Sequence, residues 1–154
     1  MKIWFVVLLT VIVDQITKFA IHACLSPGQS LPVIPSVLHL TYVQNTGAAF
    51  GLFRGYVGLL VLVAGGTIAW IVMELLRMRR PPPHPSHGQA PQSRLMEVAL
   101  ALVLGGAAGN VIDRLRLGYV VDFIDVRVWP VFNLADSAIT IGVGLLVWRA
   151  LRRR

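Results

Sequence analysis

Charge is scarce in this chain, and acid is scarcer than base. Only 14% of its 154 residues are charged and 56% are hydrophobic, which excludes an ordinary soluble domain of this length. Cysteine is nearly absent as well. With Cys24 alone, no internal disulfide can form and no paired-thiolate metal site can be built. The net charge of +7 is not gathered into a basic patch with aromatic residues beside it, so a nucleic-acid partner is not expected. No metal centre or cofactor is expected either. His84 and His87 are close together, but they lie in a proline-rich stretch with no further ligand type nearby.

Long apolar runs are what the chain does have. A hydrocarbon core roughly 30 Å thick takes about 20 apolar helical residues to cross. Four segments meet that requirement or nearly so: 3–21, 56–76, 95–115 and 132–149. The first has the basic start of a secretory signal peptide and small residues at Ala23 and Cys24, but it also carries Asp14 and Lys18. A cleavable apolar segment has no use for two charges four residues apart, whereas a retained span can pair them across one helical turn. Between spans one and two, Leu25–Ser36 is rich in turn residues. Val37–Val43 then alternates as a short strand, and Gln44-Asn45-Thr46-Gly47 reads as a turn. Residues 77–94 read as a flexible loop, because Pro81–Ser93 holds five of the nine prolines and almost no apolar side chains. The expected fold is a single all-α membrane domain over 1–154, four transmembrane helices with a small β-rich extracytoplasmic region between helices 1 and 2.

Orientation follows from the basic residues near the span ends. Lys2, Arg77, Arg79, Arg80, Arg94, Arg149, Arg152, Arg153 and Arg154 fall on one side, while Arg54, Arg116 and Arg127 fall on the other. The positive-inside rule makes the first side cytoplasmic, so both termini are inside and the number of spans is even. Glu74 and Glu97 then lie near cytoplasmic span ends, and Asp14, Asp113, Asp122, Asp125 and Asp136 gather in the outer half. Carboxylates at membrane depth cost a few kcal/mol each on insertion scales, so such a cluster points to function.

Spacing divides the cluster. Gly106, Asn110 and Asp113 share one face of span three, with Arg114 beside it in position to pair with Asp113. The glycines of Gly105-Gly106-Ala107-Ala108-Gly109 read as packing residues that let a neighbouring helix approach. In the outer connection 118–130, Asp122 and Asp125 fall on opposite faces of an alternating segment. Asn133 is placed to cap the fourth helix with Asp136 in its first turn, a position where an acid also makes a favourable dipole contact. Asp122 and Asp136 end one short connection, which can bring them together at the same depth. Two aspartates in one site do not both ionise cheaply, so one keeps a proton while the other acts as a base. Such a pair hydrolyses a peptide bond without a metal or a covalent intermediate.

Four blocks carry a family resemblance: Asp14-Gln15-Ile16-Thr17-Lys18, Asn45-Thr46-Gly47-Ala48-Ala49-Phe50, Gly105–Arg114 with Gly118 and Val121-Asp122-Phe123, and Phe132-Asn133-Leu134-Ala135-Asp136. In this order and on one side of the membrane, they strongly resemble lipoprotein signal peptidase, the bacterial signal peptidase II. The resemblance implies an aspartyl endopeptidase of the bacterial inner membrane that acts near the outer leaflet as a monomer, with membrane lipids around it. It implies prolipoprotein substrates, cut just before a cysteine that carries diacylglycerol. It implies Asp122 and Asp136 as the catalytic pair, Asn45, Gly47, Asn110, Arg114 and Asn133 as substrate-binding residues, and Asp14, Lys18 and Asp113 as supports. It also implies that the strand 37–43 and the loop around Phe50 clamp the substrate. The Pro81–Ser93 segment looks longer than the corresponding connection in that family.

Three other readings compete. Ser137 as nucleophile with Lys18 as base would make a different hydrolase. Asp14, Lys18 and Asp113 would serve a proton or ion path, though four spans are few for one and no internal repeat is present. A scaffold held by the glycine-rich span would leave the outer carboxylates without a role.

Overall fold

The computed structural model describes residues 2–48, 52–79 and 90–152. Helix α1 spans Lys2–Cys24, α2 Val57–Met78, α3 Ala90–Leu117 and α4 Leu134–Leu151, and each is long and apolar enough to cross a membrane. The helices match the four expected spans and each runs past the expected C-terminal end, while α2 and α4 begin slightly later than expected and α1 and α3 earlier. Most notably, α3 begins at Ala90, so Gln92 and Ser93 belong to a helix and not to the loop. The remainder of the proline-rich segment, with His84 and His87, lies outside the described residues, as does the loop around Phe50.

Helix α3 is the hub, packing against α1, α2 and α4. Its small residues explain why. A Cβ on Gly106 would collide with the Ala135 carbonyl of α4, and one on Gly142 of α4 would lie 2.6 Å from the Ala99 carbonyl of α3. Bare backbone on both helices is what permits the approach. The helix stops where Gly118 takes a φ of +79°, which lets its N–H return to the Arg114 carbonyl at 3.1 Å.

Two apolar cores mark the two ends of the bundle. One gathers Ile71, Leu75, Leu100 and Leu104 with Ile3, Val7 and Leu146, so the start of α1 meets the end of α2 and of α4. At that same end the Arg79 guanidinium lies over the Trp4 ring. The other core joins Ile21, Tyr42, Val121 and Phe123 with Leu25 and Leu134. The helices therefore alternate in direction, with both chain ends at the basic end and a sheet at the other. Outward faces such as Phe5, Leu8, Ile16, Phe19, Leu62 and Trp70 stay exposed, as lipid contact requires.

The sheet has three antiparallel strands in the order β1-β2-β3: Ser30–Ile34, Leu38–Asn45 and Val120–Asp125. Strand β2 is the one the alternation predicts. Strand β1 arises within the segment that reads as turns. It is an edge strand, exposed along its whole length, where Pro32 is tolerated because no second neighbour needs its missing N–H. Strand β3 comes from the connection between α3 and α4 and pairs Asp122 with Val43. That pairing brings the end of β2 and the start of α4 to the same place.

Candidate active site

Each carboxylate at the sheet end of the bundle is held by a group from another element. Asp122 on β3 is 2% exposed, and both of its oxygens accept amide N–H groups. Asn45 Nδ2 lies 2.9 Å from its Oδ2, and Asn133 Nδ2 lies 2.7 Å from its Oδ1. Asp136, at the third position of α4, forms a capping box with Asn133. The Asn133 Oδ1 accepts the Asp136 N–H at 2.9 Å, and the Asp136 Oδ2 accepts the Asn133 N–H at 3.3 Å. A further donor reaches Asp136 from α3, where Asn110 Nδ2 is 2.8 Å from its Oδ1.

Asn45 owes its orientation to a local turn. Its Oδ1 accepts the Gly47 N–H at 2.9 Å, which leaves Nδ2 for Asp122. Asn133 is fixed by its cap, since its oxygen is occupied by the Asp136 N–H. Asn110 is fixed by Lys18, whose Nζ is 2.9 Å from its Oδ1.

A buried ion cluster lies below these amides. Lys18 contacts Asp14 at 2.8 Å and Asp113 at 3.0 Å, all three almost fully buried. Asp14 Oδ1 accepts the Ala135 N–H at 2.9 Å, so α1 supplies a second cap to α4. Asp113 Oδ2 accepts the Val121 N–H at 3.1 Å and thereby ties α3 to β3 next to Asp122. Gln15, which the sequence gives no role, donates to Asp113 Oδ1 at 2.9 Å. An uncharged amide beside an acid carries no signal of its own, although it sits in the same short block as Asp14 and Lys18.

One expectation changes, and one competing reading finds no matching geometry. Arg114 does not pair with Asp113, because adjacent residues on a helix point about 100° apart. Its Nη2 instead donates to the Gly47 carbonyl at 2.8 Å, which ties α3 to the turn after β2. Its Nε is buried without a hydrogen-bond partner. Ser137 and Lys18 are not arranged as nucleophile and base. Ser137 Oγ donates to the Asn133 carbonyl at 3.0 Å, while Lys18 is committed to two carboxylates and Asn110.

Asp125 goes elsewhere, as the alternation implies. Thr41 Oγ1 donates to it at 2.8 Å and Arg127 at 3.2 Å. Burial works against its charge, yet those bonds hold its carboxyl below the usual carboxylate range.

Asp122 and Asp136 line one cleft of about 640 Å³ together with Asn45, Asn110, Arg114 and Trp129. Burial, and after it the charge of Asp136, pushes the Asp122 carboxyl up to about 7, against the opposing effect of the Asn45 and Asn133 N–H groups. The cleft thus offers a carboxyl that keeps its proton near neutrality beside a second aspartate, with the half-buried Arg114 guanidinium at the wall. That set can activate water and protonate a leaving group. Among the described residues, no group of three or more His, Cys, Asp or Glu side chains is placed to hold a metal ion.

Comparison with known proteins covers nearly the whole chain. Residues 6–152 match the family described as signal peptidase (SPase) II, of the peptidase A8 type. A lipoprotein signal peptidase of Moorella thermoacetica is 49% identical over 148 residues, covering 94% of this chain and 89% of that protein. One from Pelotomaculum thermopropionicum is 42% identical over 151 residues, covering 98% and 92%. Two structures of a bacterial membrane enzyme obtained by the in meso method, at 2.3 and 1.9 Å resolution, are each 33% identical to the chain. Their TM-scores are 0.84 and 0.83, over 98% and 99% of this chain and 88% and 94% of theirs.

Proposed function

The chain belongs to the signal peptidase II family, an aspartic type of hydrolase, and on that premise we propose that it cleaves prolipoproteins with Asp122 and Asp136 as its catalytic pair. The observation that carries this reading is the Asn133 bridge, which holds the two carboxylates on one cleft.

In the mechanism, Asp136 acts as the base and Asp122 holds the shared proton near neutral pH. Asp136 takes a proton from a water molecule as the water oxygen bonds to the scissile carbonyl carbon. Asp122 gives its proton to the carbonyl oxygen as the C–O bond becomes single. Collapse of the tetrahedral intermediate breaks the C–N bond; the proton held by Asp136 passes to the leaving amine, and the hydroxyl proton returns to Asp122. Both carboxylates are then as they started, and water has been added across the peptide bond.

The bond cut is the one preceding a cysteine that carries diacylglycerol. A lipid-anchored substrate reaches the site sideways from the bilayer, so a cleft at the end of the bundle, within reach of water, suits it. Arg114 lines the cleft with guanidinium N–H groups beyond those given to the Gly47 and Asn110 carbonyls and is set to donate to a substrate carbonyl. Asn45 and Asn110 share its wall, while Gly47 and the fully buried Asn133 act from behind it by orienting Asn45 and Asp122. Asp14, Lys18 and Asp113 hold α1, α3, β3 and α4 in register beneath it. The sheet end faces the outer leaflet of the bacterial cytoplasmic membrane and both termini face the cytoplasm, a placement supported by the excess of basic residues at the other end. Both carboxylates come from one chain, so the reaction needs no second copy.

The test is cleavage of a diacylglyceryl-modified preprotein by the purified protein in detergent, comparing wild type with Asp122→Asn and Asp136→Asn. Each substitution keeps shape and removes an acid. Loss of cleavage in both is expected; wild-type rates in either would rule out the pair.

A further inference from the structure

Lys18 has more partners than a buried ion pair needs. Its ammonium is 3% exposed and already lies between the Asp14 and Asp113 carboxylates. Its third contact, to Asn110 Oδ1 at 2.9 Å, is the one that leads to the cleft.

A side-chain amide has an acceptor end and a donor end, and a half-turn exchanges them. At Asn110 the acceptor end receives Lys18 and, at 3.1 Å, the Asn133 Nδ2. Only Nδ2 is then left to face Asp136 Oδ1, at 2.8 Å. A hydrogen bond from a cation is roughly twice as strong as one between neutral groups, so Lys18 is the stronger of the two locks.

We propose that Lys18 is a positioning residue for the reaction, whose ammonium fixes the Asn110 amide so that a donor and not an acceptor faces Asp136. This rests on the reading of Asp122 and Asp136 as the working pair. Were the amide turned round, its oxygen would face a carboxylate oxygen. The two repel unless Asp136 carries a proton, and a base that carries a proton cannot take one from water. The charged groups around this contact are Asp122 on β3, Asp14 and Lys18 on α1, and Asp113 and Arg114 on α3. Asp14 and Asp113 hold the ammonium in place, and each also accepts a backbone N–H, by which Asp14 caps α4 and Asp113 ties down β3.

Lys18→Met alone would leave two buried carboxylates without their cation, so the test uses the Lys18→Met/Asp14→Asn protein, which keeps the net charge of the wild-type cluster, with Asp14→Asn as its reference. The amide that Asp14→Asn introduces still offers an oxygen to the Ala135 N–H. The expected result is a thermal midpoint below that of the reference, because Asp113 loses its cation, with a kcat lower by about a hundredfold and a KM within about twofold. The acidic limb of the kcat profile moves to higher pH. An unchanged kcat, or a lower kcat on an unmoved pH profile, would show that Lys18 only neutralises its neighbours. If the double variant does not fold, Asn110→Asp in the presence of Lys18 carries the test, since it keeps the cation and sets an oxygen against Asp136. A wild-type kcat and pH profile there would equally overturn the proposal. The dyad reading fails separately, by cleavage in Asp136→Asn.

Discussion

Asn133 Nδ2 lies 2.7 Å from Asp122 Oδ1, a hydrogen bond that joins the cap of α4 to the middle of β3. The oxygen of the same amide caps the helix at the Asp136 N–H. One fully buried side chain thus sets the relation between a strand carboxyl and a helix carboxyl, and it does so by using both ends of its amide.

The two ends are separable by substitution. Asn133→Ala removes both the cap and the donor, and loss of a cap costs about 0.5–2 kcal/mol. Asn133→Ser keeps a cap oxygen but is too short to reach Asp122. Thermal unfolding in detergent is expected to place the serine variant above the alanine variant, while both lose kcat alike. A serine variant with wild-type kcat would mean that the bridge to Asp122 is dispensable.

The raised Asp122 carboxyl predicts a pH dependence of stability. Its value of about 7 in the fold stands above the ordinary aspartate value because of its burial and then the Asp136 charge. Protonation therefore favours the folded state; the contribution is full below about pH 4 and is lost as pH rises through about 7. Asp122→Asn removes that loss, so its thermal midpoint relative to wild type is expected to rise from about pH 5 to about pH 8. The alkaline limb of kcat is expected near neutrality. It should move upward in Asn45→Ala, which removes an N–H that favours the ionised form. A midpoint difference that stays level across this range would place the titrating group elsewhere.

How much of this was legible in the sequence depends on whether the signal is local. Four spans follow from apolar length, and the strand at β2 from alternation. Strand β1 does not, because Pro32 and the surrounding turn residues hide an edge strand that exists only by pairing with β2. The gathering of Asn45, Asn110 and Asn133 about two aspartates is a product of packing between α3, α4 and the sheet. Asp14 is separated by 121 positions from the Ala135 N–H that it caps, and no local pattern announces such a contact. The Arg114–Asp113 pairing fails for the opposite reason, since neighbours in sequence are not neighbours on a helix surface.

The close approach of α3 and α4 gives a prediction about geometry. A Cβ at Gly106 would strike the Ala135 carbonyl, one residue before Asp136, whereas a Cβ at Gly144 meets nothing within 4 Å. Gly106→Ala is expected to push the start of α4 outward, lowering both the thermal midpoint and kcat. Gly144→Ala should leave kcat unchanged and raise the midpoint slightly, since alanine is favoured over glycine in a helix by about 1 kcal/mol. Equal behaviour of the two variants in unfolding and cleavage assays would contradict the packing described.

Arg114 offers the last prediction, because its guanidinium divides its donors between the fold and the cleft. Nη2 donates to the Gly47 carbonyl at 2.8 Å and Nη1 reaches the Asn110 carbonyl at 3.5 Å, and the remaining N–H groups of the fork at the cleft are left for a substrate. Lysine in its place keeps the charge near Asp136 and Asp122 but has one nitrogen on a flexible stem, which cannot hold the planar fork of an arginine. Whichever acceptor that nitrogen takes, the other is left without its donor. Arg114→Lys is therefore expected to raise KM by about tenfold or more with a smaller change in kcat, the pattern of a binding contact made in the ground state. Cleavage kinetics over a range of preprotein concentrations measure the two separately. A fall in kcat at unchanged KM would instead assign Arg114 to the stabilisation of charge in the transition state, and would remove it from the substrate-binding wall.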